Sequence, residues 1–164
     1  MNSDHKERRI PLTQGKYAIV DAEDFEELSR YKWHFAMGYA ARKYRSEKGQ
    51  TTTHMARMLL GLEIGDPLQA DHINHNGLDN RRCNLRIVTV TQNQQNQNSR
   101  TGTSRYKGVY FNKRPGRTKP WVAQIKIKAK NTYLGMYAAE IDAAKAYNAA
   151  AEKHFGEFAK LNPV

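Results

Sequence analysis

A single cysteine, Cys83, stands in the 164 residues, which excludes an internal disulfide and the multi-cysteine zinc knuckle that braces some small folds. Long apolar runs are missing as well. Mean hydropathy is −0.84, and no stretch approaches the roughly 20 apolar residues of a membrane helix. The opening MNSDHKERRI has no apolar signal core, so the expectation is a cytosolic chain with no membrane partner. Acidic residues are scarce: 16 Asp and Glu face 27 Lys and Arg, a net charge of +11 that suits a polyanion. The imbalance is local. Fifteen basic and twelve acidic residues precede Ser104, whereas twelve basic and four acidic follow from there.

What is present reads as two small α+β pieces. Residues 10–21 form two extended runs broken by Gly15, and DAEDFEELSRYKW has the spacing of a short amphipathic helix. Tyr17, Trp33, Phe35 and Tyr39 are expected in the core. Residues 39–53 are basic and predict a hairpin turning at 47–49, followed by a helix over 53–60 that ends at Gly61. His54 and Arg57 on that helix read as surface or core-edge residues, with phosphate contact the functional alternative. Leu68–Ile73 and Leu85–Val90 predict two strands joined by an Asn- and Gly-rich loop, then a helix capped by Thr89 or Thr91. The tract QNQQNQNSRTGTS carries nothing to bury and reads as helix tail passing into linker.

The segment LQADHINHNGLDNRRCNLRIVTVTQNQQNQ is the densest polar constellation in the chain. Cutting a phosphodiester needs a cation to offset charge developing on the phosphate and a base to deprotonate water. Asp71 supplies a carboxylate oxygen, Asn93 a neutral amide oxygen, and His72 an imidazole that titrates near neutrality. Two protein oxygens suit one divalent ion, Mg²⁺ first and Mn²⁺ second. Adjacent residues in a regular strand face opposite ways, so Asp71 and His72 must sit at a strand end or bulge to serve one phosphate. A zinc site from His72, His75 and Cys83 lacks a fourth ligand at suitable spacing.

The run DHINHNGLDNRRCNLRIVTVTQNQQN resembles the HNH nuclease motif of phage and mobile-intron homing endonucleases, in the subgroup where Asn replaces the last His. That resemblance implies a ββα-metal fold over about 68–98, with Asp71 as carboxylate ligand and His72 as general base. It implies Asn84 as the central Asn that braces the loop and orients the histidine through backbone hydrogen bonds. Asn93 would be the second metal ligand. Asn80, Arg81 and Arg86 match recurring positions of the subgroup, and the two arginines are candidate phosphate contacts together with Arg57.

From Ser104 onward, YKGVYF, PWVAQIKIKA and TYLGMY predict three strands, and 138–155 an alanine-rich helix with Ala143, Ala146, Tyr147, Ala150 and Ala151 on its packing face. Along 121–128, alternation puts Val122, Gln124, Lys126 and Lys128 on one face and Ala123, Ile125 and Ile127 on the other. This segment resembles the Apetala-two or ethylene-response-factor type of DNA-binding domain, which implies a three-stranded antiparallel sheet laid in the major groove with one helix behind it. On the matching positions Lys107, Tyr110, Asn112, Gln124, Lys126 and Tyr133 would contact DNA. The turn NKRPGRTKPW is longer than in the plant pattern, so base preferences do not transfer.

The expected architecture is therefore α+β: an N-terminal segment and nuclease domain over 1–98, a polar linker over 99–103 and a DNA-binding domain over 104–164. The expected activity is metal-dependent hydrolysis of double-stranded DNA by a monomer, with a dimer as the alternative arrangement. The rival readings are a DNA-binding regulator or degenerate nuclease, and, more distantly, an RNA-directed protein.

Overall fold

The computed structural model describes residues 7–46, 49–97 and 102–164. Two positions of the expected turn, 47 and 48, and most of the expected linker, 99–101, lie outside the described residues. The chain divides into two compact units, Met1–Thr91 and Gln92–Val164.

In the first unit β1 (Glu7–Pro11) and β2 (Tyr17–Asp21) pair antiparallel across a short 3₁₀ turn. Helix α1 (Ala22–Ser29) follows, then the meander β3 (His34–Ala36), β4 (Tyr39–Ser46) and β5 (Gly49–His54). The core gathers Ile10, Leu12, Ala18, Val20, Leu28, Trp33, Ala40 and Met55, with Phe35 packed against it. Tyr17 and Tyr39 depart from expectation, being 53% and 41% exposed. Each precedes the alanine that turns inward, Ala18 and Ala40, so alternation sends the tyrosine to the opposite face. Helix α2 is also shorter than expected, Met55–Leu59, because Thr53 and His54 remain paired with Arg42 and Ala41 in β5. The β-branched run Thr51–Thr53 favours a pleated surface over a helix.

Two strands, β6 (Gln69–His72) and β7 (Leu85–Val88), pair antiparallel with Asp71 opposite Arg86 and His72 opposite Leu85. Helix α3 (Val90–Asn96) comes next in the chain, directly after Thr89, and the division between units falls within it.

The second unit holds β8 (Val109–Phe111), β9 (Trp121–Ile127) and β10 (Lys130–Tyr137), an antiparallel sheet in the order β10-β9-β8, with α4 (Glu140–Phe155) along one face. Tyr106, Val109, Ala123, Ile125, Tyr147 and Ala151 form its core. The helix packs through Ala143, Ala144, Tyr147 and Ala151, with Ala146 and Ala150 only partly covered. Gly108 makes this packing possible: a Cβ there would stand 2.0 Å from the Tyr147 ring and 2.5 Å from the Gln124 carbonyl oxygen. Asn162 closes the unit, its Oδ1 accepting from the Lys107 N–H at 2.7 Å while its own N–H donates to Asn148 Oδ1 at 2.7 Å.

The β9-β10 turn is built from Lys128 and Ala129, both at positive φ, 47° and 66°. A type I′ turn needs that conformation twice, and glycine supplies it without the strain of a Cβ. Ala129→Gly is therefore expected to stabilise the unit by about 0.5–1 kcal/mol, net of the entropy glycine gains when unfolded. Urea unfolding reads this as a raised midpoint with unchanged slope; a lowered midpoint would contradict it.

Candidate active site

His72 is the last residue of β6, so Asp71 and His72 sit at a strand end. Both are buried, each 7% exposed. The His72 Nε2 donates to Asn80 Oδ1 at 3.2 Å, an acceptor assignment consistent with Asn80 Nδ2 pointing at the Gly77 carbonyl. With the proton on Nε2, Nδ1 keeps the lone pair that could accept a proton. Burial pulls the imidazole below its ordinary pKa of 6.5, against the Asn80 bond and then the charges of Asp71 and Asp79, which push it up.

Asn80 is 1% exposed, and its N–H donates to the Ile19 carbonyl at 2.7 Å. Ile19 in turn donates to the Leu78 carbonyl, and a parallel bridge joins Ile19 to Asp79. The loop that carries Asn80 is thus docked on β2 rather than left to swing. Asn84 bonds to three points of the same loop. Its Oδ1 accepts from the Asn74 N–H at 2.9 Å, its Nδ2 donates to the Asp79 carbonyl at 2.7 Å, and its carbonyl accepts from Ile73 at 2.9 Å. The side chain bonded to the imidazole, however, is that of Asn80, a residue the motif match alone left without a role.

The aromatic wall was also not foreseen. Tyr39 stacks on His54, centroids 5.1 Å apart, and its ring stands 5.9 Å from that of His72. Gly77 lets the loop approach, since a Cβ there would lie 2.5 Å from both the Tyr39 ring and the Gly38 carbonyl oxygen.

The arginines expected on phosphate are engaged with the protein. Arg86 Nε donates to Asp71 Oδ2 at 2.9 Å. Arg81 forks Asp79 at 2.8 and 2.7 Å, and Arg57 donates to the carbonyls of Leu68, at 3.1 Å, and Glu63. Arg82 forks Asp24 at 2.9 and 2.7 Å while its N–H donates to Asp21 Oδ2. Among the described residues, Asp21, Glu23 and Asp24 are the group of His, Cys, Asp or Glu side chains close enough together to hold an ion, and Arg82 already faces all three. No such group joins His72, His75 and Cys83.

A hard divalent cation suits Asp71. Its carboxylate offers oxygen donors of the hard type such ions take, and Arg86 bonds Oδ2. Asn93 lies on α3.

In the second unit, Tyr110, Gln124, Lys126 and Tyr133 share the sheet face away from α4, with Tyr133 opposite Gln124 in register. Tyr133 is 62% exposed, and Lys126 is also exposed. Asn112 continues this face at the end of β8, its Oδ1 accepting from the Arg114 N–H at 3.2 Å. One expectation changes here. Val122 is only 2% exposed although its neighbours on that face are open. Lys107 points its Nζ at the carbonyls of Gln95 and Gln97, at 2.6 and 2.7 Å, capping the end of α3. Burial, then the charge of Lys160, lower its pKa to about 8.

The chain is 29% identical over 151 residues to a protein of Acanthamoeba polyphaga mimivirus described as an uncharacterized HNH endonuclease. The match covers 92% of this chain and 77% of that one. This similarity supports a nuclease of the HNH class. No protein-family profile and no solved structure matches. Among the described residues no helix is long and apolar enough to cross a membrane.

Proposed function

We propose that this protein is a homing-type HNH endonuclease that hydrolyses phosphodiester bonds of duplex DNA with a divalent metal ion, Mg²⁺ by preference. The observation that carries this reading is the buried His72 imidazole at the end of β6, fixed through Nε2 by Asn80 beside the Asp71 carboxylate. His72 Nδ1 takes the proton of the attacking water. Asn80 holds the ring in the tautomer that leaves Nδ1 basic, and Asn84 keeps the loop in shape. Asp71 would hold the metal, with Arg86 orienting its carboxylate, and the motif assigns Asn93 as the second ligand. The bound metal supplies positive charge to the phosphate and the leaving 3′ oxygen.

The C-terminal unit reads the site. Its three-stranded sheet leaves Tyr110, Asn112, Gln124, Lys126 and Tyr133 away from the helix, residue types that meet bases and phosphates in a major groove. One catalytic centre per chain cuts one strand at each visit, so a monomer is expected to nick.

The decisive experiment is nicking of supercoiled plasmid by the full chain. Mg²⁺ is expected to support it, EDTA to stop it, and Asn93→Asp to retain it while Asn93→Ala loses most of it at limiting Mg²⁺. Nicking that continues in EDTA would refute the metal requirement. Tight DNA binding without any nicking would favour the regulator.

A further inference from the structure

The engaged state of Arg57, Arg81, Arg82 and Arg86 raises the question of what the first unit itself offers to a phosphate backbone. The β4-β5 hairpin answers it. Its register pairs Ala41 with His54, Lys43 with Thr52 and Arg45 with Gln50, so these residues and Tyr39 share one face. The exposure pattern agrees: Tyr39, Lys43, Arg45, Gln50, Thr52 and His54 are exposed, whereas Arg42, Tyr44, Thr51 and Thr53 on the other face are half-buried. Arg42 stacks there on Tyr31, with its guanidinium carbon 3.9 Å from the ring centroid.

The exposed face starts at the active site. Tyr39 and His54, stacked together at its base, adjoin His72. From that base, Thr52 and Lys43 and then Gln50 and Arg45 continue outward along the hairpin. An open recess of about 550 Å³ is lined by Lys43, Tyr44, Arg45, Gly49 and Gln50. Neither Lys43 nor Arg45 pairs with a carboxylate among the described residues, in contrast to Arg81, Arg82 and Arg86.

We infer that this face is a track for the sugar–phosphate backbone of duplex DNA, leading the strand being cut across Tyr39 to His72. The inference rests on the endonuclease reading for its end point. The charge, the alternation and the continuity with the imidazole are its own support. Lys43 and Arg45 meet successive phosphates, Thr52 and Gln50 donate between them, and the Tyr39–His54 stack forms the floor where the strand reaches the base. Such contacts are blind to sequence and set register, complementing the C-terminal sheet.

The test compares the full-length parent with Lys43→Ala/Arg45→Ala, using a fluorescent 30-base-pair duplex, at several salt concentrations. Each phosphate contact contributes roughly 0.9 to the slope of log affinity against log salt. The double variant is expected to flatten that slope by about two, while unfolding at the parental temperature. Lys43→Arg/Arg45→Lys should restore it. In the nicking assay the loss should appear in the DNA concentration needed for half-maximal rate, with the rate at saturation within about two-fold of the parent. An unchanged salt slope in the folded variant would overturn the track, as would a slope that falls for single-stranded RNA and not for duplex DNA. If the parent binds duplex with the expected slope yet never nicks, the endonuclease reading fails while the backbone contact stands.

Discussion

Replacing His72 with alanine is expected to lower the nicking rate by about 10² to 10⁴, the usual contribution of a positioned general base, while duplex affinity stays within about two-fold of the parent. On the proposed reading the imidazole is one small group in a wide DNA interface, so its loss removes the base and leaves most of the binding surface. A variant that nicks at the parental rate would end the assignment. The acid limb of the rate profile gives a second reading. A base acts as the neutral ring, and burial pulls the His72 pKa below its ordinary value, so the acid limb is expected at lower pH than a free imidazole would give. Asn80 separates positioning from packing. Its bond favours the charged ring, so Asn80→Ala should slow the reaction and move the acid limb further down. Asn80→Asp should move the limb up, because a carboxylate beside Nε2 stabilises the imidazolium. An acid limb that stays in place in both variants would show that Asn80 is a loop brace without influence on the ring.

The strand pair around Asp71 and His72 was legible because alternation and turn residues are local signals, and a strand end was expected from the reading in which both side chains serve one phosphate. The loop arginines were not legible in the same way. A sequence shows that Arg81, Arg82 and Arg86 are cationic, but their partners depend on tertiary placement. Asp24 lies 58 residues from Arg82, and Asp71 meets Arg86 only through the β6-β7 register. The surroundings of Lys107 were hidden for a related reason: a match to a DNA-contact position cannot show that the end of α3 lies within reach of its ammonium. Tyr39 was read as core because aromatic residues in extended runs usually are. Its exposure follows from Ala40 taking the inward position in β4. Asn80 carried a usable signal, since it sits between two charged residues in a loop already supplied with turn formers, yet nothing in the sequence gives the direction of its amide.

The largest effect on stability is expected at the Asp79–Arg81 fork, and it also decides what Arg81 does. The Asp79 side chain is 3% exposed and accepts from Arg81 Nε and Nη2 and from Asn74 Nδ2 at 2.8 Å, while the Asp79 backbone carbonyl accepts from Asn84. Asp79→Ala leaves the Asn74 amide without its acceptor and frees the guanidinium. Removing one partner from a buried pair typically costs about 3–5 kcal/mol. Arg81 is about one-third exposed and can turn to water, so about 2–3 kcal/mol is expected here. At roughly 4–8 °C per kcal/mol for a unit of this size, the thermal midpoint of the first unit should fall by about 10 °C or more. Arg81→Ala strands a buried carboxylate and should destabilise comparably. Since one fork is lost in either case, the double variant should cost less than the two singles combined, by about 1–3 kcal/mol. The pH dependence has a definite sign. The hydrogen bonds from Arg81 hold the Asp79 carboxyl below its ordinary 3.8, so the stability they give is complete above that pH and is lost as pH falls through the lowered value. The gap between parent and Arg81→Ala should therefore close in acid. If Arg81 were chiefly a phosphate contact, Arg81→Ala would flatten the salt dependence of DNA binding and leave the unfolding midpoint alone at every pH. The bidentate geometry on a buried carboxylate argues for the opposite result, a loop clamp that fixes Asn80 and through it His72.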